Sequence, residues 1–209
     1  MKISVSYLAS RDISRTISEL DKTDVDFIHV DVMDGKYVKN KSISFKEVSN
    51  IGYYTKKRLD VHFMVNKPLK YIDDYASLNV FCMCFHLNIK NNLEEVIERT
   101  KLYGIKVGLV LNPSDDIELL DPYIDKIDVI LVMSVVPGKP GQTFMEEVIP
   151  KINKLKAKLR KEKRNILISV DGGINCENVS KLKNADIIVS GSFVTNSDNY
   201  QDAITSLRK

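Results

Sequence analysis

Short apolar runs rich in Val and Ile alternate with longer segments in which apolar residues recur every three or four positions, and this alternation repeats about eight times. The short runs are typical of buried β-strands, and the longer segments of amphipathic helices. The predicted strands cover residues 3–7, 25–32, 59–64, 80–85, 105–111, 127–133, 166–170 and 187–190. The predicted helices cover residues 12–20, 45–53, a segment that opens after Pro68, 93–103, 117–123, 144–161, 177–183 and 200–207.

Strands that alternate with helices predict a parallel sheet with helices outside it. Eight such units favour a single closed (β/α)₈ barrel, the TIM barrel of the α/β class, as one domain over residues 1–209. A doubly wound open sheet is the competing fold. That fold usually places a glycine-rich turn after its first strand, whereas residues 6–10 read Ser-Tyr-Leu-Ala-Ser and contain no glycine.

Composition and charge exclude several classes of protein. The 31 basic and 28 acidic residues leave a net charge of +3, and the lysines recur at helical spacing, which favours solvated helix faces over nucleic-acid binding. No leader pattern opens the chain, and apolar runs such as residues 129–133 are too short to cross a bilayer, so we expect a cytoplasmic protein without membrane contact. Cys82, Cys84 and Cys176 are an odd number without framework spacing, which predicts reduced thiols, the first two packed in the core.

The second predicted strand carries ionisable residues that buried strands seldom contain. His29, Asp31 and Met33 alternate with valines, so their side chains share one face of the strand. Because an unpaired buried charge is costly, the imidazole and the carboxylate require partners elsewhere in the chain. The candidates are His62, in the third predicted strand, and Asp171, which ends the seventh.

These four residues fall near the carboxyl ends of strands two, three and seven, which is where active sites of this barrel lie. Two imidazoles and two carboxylates suit a divalent transition ion such as Zn, Fe, Mn or Co. The spacing alone is not a metal signature, because His-x-Asp occurs by chance in many chains. A hydrogen-bonded core histidine is the ordinary interpretation of His62 taken by itself, so both interpretations stay open at this point.

Glycine-rich loops follow three neighbouring strands in the last third of the chain. They read Pro-Gly-Lys-Pro-Gly-Gln at 137–142, Asp-Gly-Gly at 171–173 and Ser-Gly-Ser at 190–192. Backbone N–H groups in such loops and at helix N-termini favour an anion, and phosphate sites of this fold often use the loops after strands seven and eight. A tight turn explains any one loop, but three neighbouring loops predict a phosphate site.

Motifs spread over residues 2–206 carry a resemblance to a known family. They are Ser6 in the first strand, HVDVMDG at 29–35, LDVHFMV at 59–65, FH at 85–86, VGLVLNP at 107–113, VMSVVPG at 132–138, VDGGIN at 170–175 and VSGS at 189–192. On these motifs the chain resembles the ribulose-phosphate 3-epimerase family. The resemblance implies a barrel of the ribulose-phosphate-binding type that interconverts D-ribulose 5-phosphate and D-xylulose 5-phosphate by moving one proton at C3.

The resemblance also implies roles for individual residues. The positions His29, Asp31, His62 and Asp171 bind one divalent metal ion, and no organic cofactor is expected. Asp31 and Asp171 also act as the acid/base pair, one on each face of the carbon, with an enediolate between them. We expect a homo-oligomer that binds a sugar phosphate but neither nucleic acid nor a membrane. The implied substrate-binding positions are Ser6, Met33, His62, Met64, Met133, Gly138, Lys139, Gly141, Gly172, Gly173, Gly191 and Ser192.

The chain departs from the family pattern at the phosphate loop. The family's loop resembles Pro-Gly-Phe-Gly-Gly-Gln, whereas Lys139 and Pro140 stand in its middle here, and proline offers no N–H. Val5 stands where the family has a proline, and residues 87–89 lack the acidic residue that the family has shortly after the His86 position. The four metal positions are intact. Three alternatives stay open: a 3-epimerase of a hexulose 6-phosphate such as D-allulose 6-phosphate, a non-catalytic sugar-phosphate-binding barrel, and a barrel of the phosphoribosyl-isomerase or synthase type.

Overall fold

Eight parallel strands pair in chain order, and the last pairs with the first. They are β1 (Lys2–Ser6), β2 (Phe27–Met33), β3 (Arg58–Met64), β4 (Val80–His86), β5 (Lys106–Leu111), β6 (Val129–Met133), β7 (Leu167–Asp171) and β8 (Ile187–Ser190). These assignments come from a computed structural model that describes residues 1–208. The closed barrel predicted from the alternation is therefore confirmed, and the open doubly wound sheet is excluded.

Several helices are shorter than the sequence pattern predicts. They are α1 (Ile13–Asp21), α2 (Phe45–Ser49), α3 (Ile72–Ala76), α4 (Leu93–Lys101), α5 (Ile149–Lys161), α6 (Ser192–Thr195) and α7 (Tyr200–Leu207). Single 3₁₀ turns cover Asn50–Tyr53, Pro68–Lys70, Ile117–Leu120, Ile124–Lys126, Glu146–Val148 and Val179–Lys181. No helix within residues 1–208 combines the length and the apolar character needed to cross a membrane.

Three predicted helices are wrong in extent, and α6 was not predicted. The segment 117–123 holds a 3₁₀ turn at Ile117–Leu120, and no α-helix continues from it because Pro122 has no N–H to donate to the preceding turn. The segment 144–161 becomes α-helical only at Ile149, which places Pro150 in the first turn, where its missing N–H costs nothing. In the segment 177–183, the side chain of Asn178 hydrogen-bonds the backbone of the preceding loop and competes with helix formation.

The strands separate two apolar clusters. The larger one lies between the barrel and the helices and includes Ile17 and Leu20 of α1 and Val30 of β2. The smaller one fills the barrel interior and consists of Phe27, Phe81, Cys82, Cys84, Val110, Val129, Leu131, Met133, Val135 and Ile187. Because side chains alternate along β2, His29 and Asp31 point to the same side as Phe27, into the barrel.

Three aspartates fasten neighbouring strands at the amino end of the barrel. Asp26 donates its N–H to the carbonyl of Ile3, and its carboxylate accepts the N–H of that same residue. Asp128 and Asp186 make the same pair of bonds to β5 and β7. These carboxylates satisfy strand backbone groups at the end of the barrel opposite to the predicted site.

Candidate active site

The four predicted metal ligands converge at the carboxyl end of the barrel. His29 Nε2 lies 3.5 Å from Asp31 Oδ1 and 3.7 Å from Asp171 Oδ2. His62 Nδ1 approaches the same two oxygens at the same two distances, 3.5 Å and 3.7 Å. Both imidazoles are fully buried. Strands β2, β3 and β7 thus bring two nitrogens and two oxygens around one point.

The donor atoms fit a divalent cation. Separations of 3.5–3.7 Å are too long for hydrogen bonds, and neither His29 Nε2 nor His62 Nδ1 has a hydrogen-bond partner among residues 1–208. Buried polar atoms are normally paired, so two orphaned nitrogens facing two carboxylates call for a shared partner. Metal–ligand distances of about 2.0–2.2 Å place neighbouring ligands roughly 3–3.5 Å apart, which is close to the separations found here.

The two carboxylates of the cluster have different proton affinities. Burial is the main cause that raises the pKa of Asp171 to about 6, and the neighbouring charge of Asp31 adds to it. Burial acts in the same direction on Asp31, but the neighbouring imidazoles of His29 and His62 outweigh it and hold its pKa below the usual range. Asp31 Oδ2 also accepts a hydrogen bond of 2.8 Å from Ser6 Oγ. Asp31 is therefore ionised near neutral pH, whereas Asp171 can gain or lose a proton there.

Each imidazole of the cluster has a second partner that the sequence analysis missed as a site residue. His29 Nδ1 lies 2.9 Å from Asp60 Oδ2, and His62 Nε2 lies 2.9 Å from His86 Nε2. Burial and the nearby His62 lower the pKa of His86 well below its usual value, so this imidazole is neutral. A signal for Asp60 was present, because it stands two positions before His62 and so shares its face of β3.

A cleft opens at the carboxyl end beside the cluster. Its empty volume is about 570 Å³ when the open mouth is included. Asp31 and Asp171 contribute to its wall, together with Ser6, Leu8, Ala9, Met64, Met133, Val135, Pro137, Gly138, Lys139, Pro140, Gly141, Gln142, Gly172, Gly173, Val189, Gly191 and Ser192.

Most of the predicted substrate-binding positions therefore meet in one cleft. Among the described residues, the two exceptions are His62, which belongs to the four-residue cluster, and Met33, which is buried and does not line the cleft. The lining residues Leu8, Ala9 and Val135 were missed, since an apolar or small residue type in a loop gives no signal of binding.

The glycine-rich loops after β6 and β7 are fastened to one another at one side of the cleft. Ser134, after β6, donates its hydroxyl to the carbonyls of Asp171 and Gly172. Gly173 has a φ of +66°, and a Cβ there would lie 2.4 Å from the backbone nitrogen of Phe144. The loops after β6 and β7 thus approach more closely than any side chain at residue 173 would allow.

The chain is similar in sequence to proteins of one family over nearly its whole length. The model of the "Ribulose-phosphate 3 epimerase family" matches residues 2–195. A protein of Buchnera aphidicola subsp. Baizongia pistaciae, named ribulose-phosphate 3-epimerase, is 41% identical over 201 residues, which cover 94% of this chain and 88% of that protein. The protein of the same name from Synechocystis sp. is 38% identical over 208 residues, which cover 96% of this chain and 90% of that protein.

Solved structures of other enzymes share the fold. The 3-hexulose-6-phosphate synthase of Salmonella typhimurium superposes with a TM-score of 0.71 at 16% identity, over 99% of this chain and 96% of that one. The KGPDC of Streptococcus mutans gives a TM-score of 0.70 at 13% identity, over 99% and 95%. Identities this low show the barrel alone. The family model and the relatives carry the assignment, since both extend over nearly the whole chain: it belongs to the ribulose-phosphate 3-epimerase family.

Proposed function

We propose that this isomerase is a metal-dependent 3-epimerase that interconverts D-ribulose 5-phosphate and D-xylulose 5-phosphate. The observation that carries the proposal is the convergence of two carboxylates and two unpaired imidazole nitrogens beside the glycine-lined cleft. The names of the relatives support a pentulose phosphate as the substrate. A barrel that only binds a sugar phosphate would not need both Asp31 and Asp171 at its floor.

The two aspartates perform the proton transfers in this proposal. One ionised carboxylate removes the C3 proton, the electron pair of the broken C–H bond enters the enediolate, and the other carboxyl group delivers a proton to the opposite face of C3. Asp31 is held ionised, while the pKa of Asp171 is raised to about 6, so one base and one acid can coexist near neutral pH. In the reverse direction the two residues exchange roles.

The remaining residues of the cluster and the cleft prepare this step. When held by His29, Asp31, His62 and Asp171, a divalent ion such as Zn, Fe, Mn or Co supplies a Lewis acid that stabilises negative charge on the substrate oxygens. Ser6 fixes Oδ2 of Asp31 and leaves its Oδ1 facing the two imidazoles. Met64 and Met133 give the cleft a polarizable wall, and Met33, which stands opposite Met64 in the pairing of β2 with β3, is buried.

The phosphate group is expected at the side of the cleft formed by the three glycine-rich loops. The predicted substrate-binding residues that line the cleft from these loops are Gly138, Lys139, Gly141, Gly172, Gly173, Gly191 and Ser192. Within residues 1–208, Lys139 is the single basic residue that lines the cleft, and it is exposed at the mouth. Its charge can replace the backbone donor that Pro140 lacks.

Replacement of Lys139 by glutamine tests this contact. We expect KM for the sugar phosphate to rise about tenfold with kcat little changed, because a charge that binds the phosphate equally in ground and transition states affects binding alone. Steady-state kinetics at low ionic strength measure the effect. Lys183→Gln is the matched control, since Lys183 is exposed and does not line the cleft. An unchanged KM for Lys139→Gln would show that this side chain points to solvent.

The proposed reaction is tested directly by an assay of the purified protein with D-ribulose 5-phosphate and, in parallel, D-allulose 6-phosphate. We expect rapid conversion of the pentulose phosphate. Chelation should remove most of the rate, because the ion supplies the Lewis acid, and addition of Zn²⁺, Mn²⁺, Fe²⁺ or Co²⁺ should restore it. Faster turnover of the hexulose phosphate would support the same mechanism but identify the hexulose phosphate as the preferred substrate. Binding of both sugar phosphates without turnover would indicate a non-catalytic barrel. Full activity after verified removal of the metal would contradict the proposed metal dependence.

A further inference from the structure

A buried carboxylate lies directly beneath the proposed metal site. Asp60 is 3% exposed and stands on β3, two residues before His62. Its Oδ2 is 2.9 Å from His29 Nδ1 and accepts a bond of 2.9 Å from Ser4 Oγ, while its Oδ1 accepts a bond of 3.1 Å from Cys82 Sγ. Donors from β1, β2 and β4 therefore fix this carboxylate from three sides.

The contact of Asp60 with His29 determines which ring nitrogen faces the cluster. An ionised carboxylate only accepts hydrogen bonds, so Nδ1 of His29 must carry the hydrogen. Nε2 is then the nitrogen that offers its lone pair toward Asp31 and Asp171. The ring is fully buried between neighbouring strands, so it is held in this orientation.

The second imidazole of the cluster, His62, is held by a neutral partner and not by an anion. His62 Nε2 faces His86 Nε2, and either ring can be the donor in that bond. His86 offers no negative charge to His62, whereas Asp60 adds one to His29. The two histidines of the cluster are therefore not equivalent, and His29 is the one whose tautomer is imposed by an anion.

The neighbouring thiols belong to this support and not to a second metal site. Asp60, Cys82 and Cys84 place their donor atoms within 4.8 Å of one another, which is close enough for a metal ion. Cys82, however, donates a hydrogen bond to Asp60. The sulfur atoms of Cys82 and Cys84 lie 4.0 Å apart. A thiol that donates its hydrogen to the carboxylate is not available as a thiolate ligand.

We propose that Asp60 is a positioning residue of the metal site, which holds His29 with Nε2 directed at the ion and strengthens that nitrogen as a ligand. This inference rests on the proposed metal dependence. Partners of this kind, placed behind a ligating histidine, typically change metal affinity by 10- to 100-fold. Asp60 touches neither the cleft nor the proposed proton-transfer atoms, so its effect should reach the reaction through the ion alone.

The test is a metal titration of Asp60→Asn. The parent protein and the variant are stripped with a chelator and titrated with Co²⁺, whose visible absorption reports both occupancy and ligand set. Asparagine has the same shape, and its oxygen can still accept bonds from His29 and Ser4, but it brings no charge and must then direct its NH₂ group at Cys82. We expect the dissociation constant for Co²⁺ to rise 10- to 100-fold and the absorption spectrum to change.

The matched control is Asp186→Asn. Asp186 accepts a backbone N–H of β7 at the opposite end of the barrel, so this variant loses the same charge and can lose stability without contact to His29. We expect its affinity for Co²⁺ to equal that of the parent protein. An equal loss of affinity in both variants would assign the effect to general loosening of the barrel and overturn the inference.

The remaining outcomes are also decisive. If Asp60→Asn binds Co²⁺ within twofold of the parent, Asp60 does not position the ligand. If that variant does not fold, Ser4→Ala removes one anchor and keeps the charge, and it should weaken Co²⁺ binding severalfold; parent-like binding by Ser4→Ala would then overturn the inference. If the parent protein binds no Co²⁺, the proposed metal site is contradicted, and the inference about Asp60 fails as well.

Discussion

Asp171→Asn should abolish epimerisation while the barrel stays folded. The amide has the same shape as the carboxyl group but cannot take up and release a proton, so kcat should fall by about 10³-fold or more, as for the loss of a general acid or base. The backbone of residue 171 is held independently of its side chain, because Ser134 donates both its N–H and its hydroxyl to the carbonyl. Substrate affinity should therefore change much less than kcat.

Deuterium exchange separates this explanation from a general loss of activity. Asp31 remains in the variant, so it should still remove and return the C3 proton of one of the two epimers, and in D₂O that epimer alone should gain deuterium without inversion. Asp198→Asn is the control, since Asp198 is exposed in the loop between α6 and α7. Metal content is measured in both variants, because Asp171 is also a proposed ligand. Near-normal turnover by Asp171→Asn would contradict the two-aspartate mechanism.

The barrel and its four polar residues were predictable because both depend on local pattern. Strand alternation placed His29 and Asp31 on one face, and the fold rule placed strand ends at the same edge. The partner of His29 was not predictable in this way. In the structure His29 stands directly opposite Asp60 in the pairing of β2 with β3, and a sequence does not state the register between strands that are far apart in the chain.

The errors in the helices have a different origin. The apolar periodicity of residues 117–123 and 144–161 indicated helices, but Pro122 and Pro150 have no N–H to donate to a preceding turn, so no α-helix runs through Pro122 and α5 begins only at Ile149. The short helix α6 follows Gly191 directly and covers only Ser192–Thr195, which is one turn and too short for a periodic signal. The positions of Pro122 and Pro150 therefore indicated where these helical segments end or begin, whereas no sequence pattern indicated the single helical turn after β8.

Gly173→Ala should damage both stability and substrate binding, because the added methyl group has no room. Its Cβ would lie 2.4 Å from the nitrogen of Phe144 and 2.7 Å from the carbonyl oxygen of Gln142, and both are backbone atoms of the loop after β6. The φ of +66° also strains any residue other than glycine, at a cost of about 1–3 kcal/mol. The loop after β6 must move away, and with it the proposed phosphate contacts of Gly138 and Lys139.

We expect the melting temperature of Gly173→Ala to fall by roughly 5–10 °C and KM for the sugar phosphate to rise about tenfold or more, which corresponds to the loss of a good charged contact. Gly104→Ala is the control that isolates the backbone strain, since Gly104 has a φ of +69° and nothing within 4 Å of the added Cβ. It should lower the melting temperature by a smaller amount and leave KM unchanged, because residue 104 lies at the end of α4, outside the cleft. Equal melting temperatures for the two variants, with KM of Gly173→Ala unchanged, would show that the close approach of the two loops neither stabilises the barrel nor shapes the phosphate site.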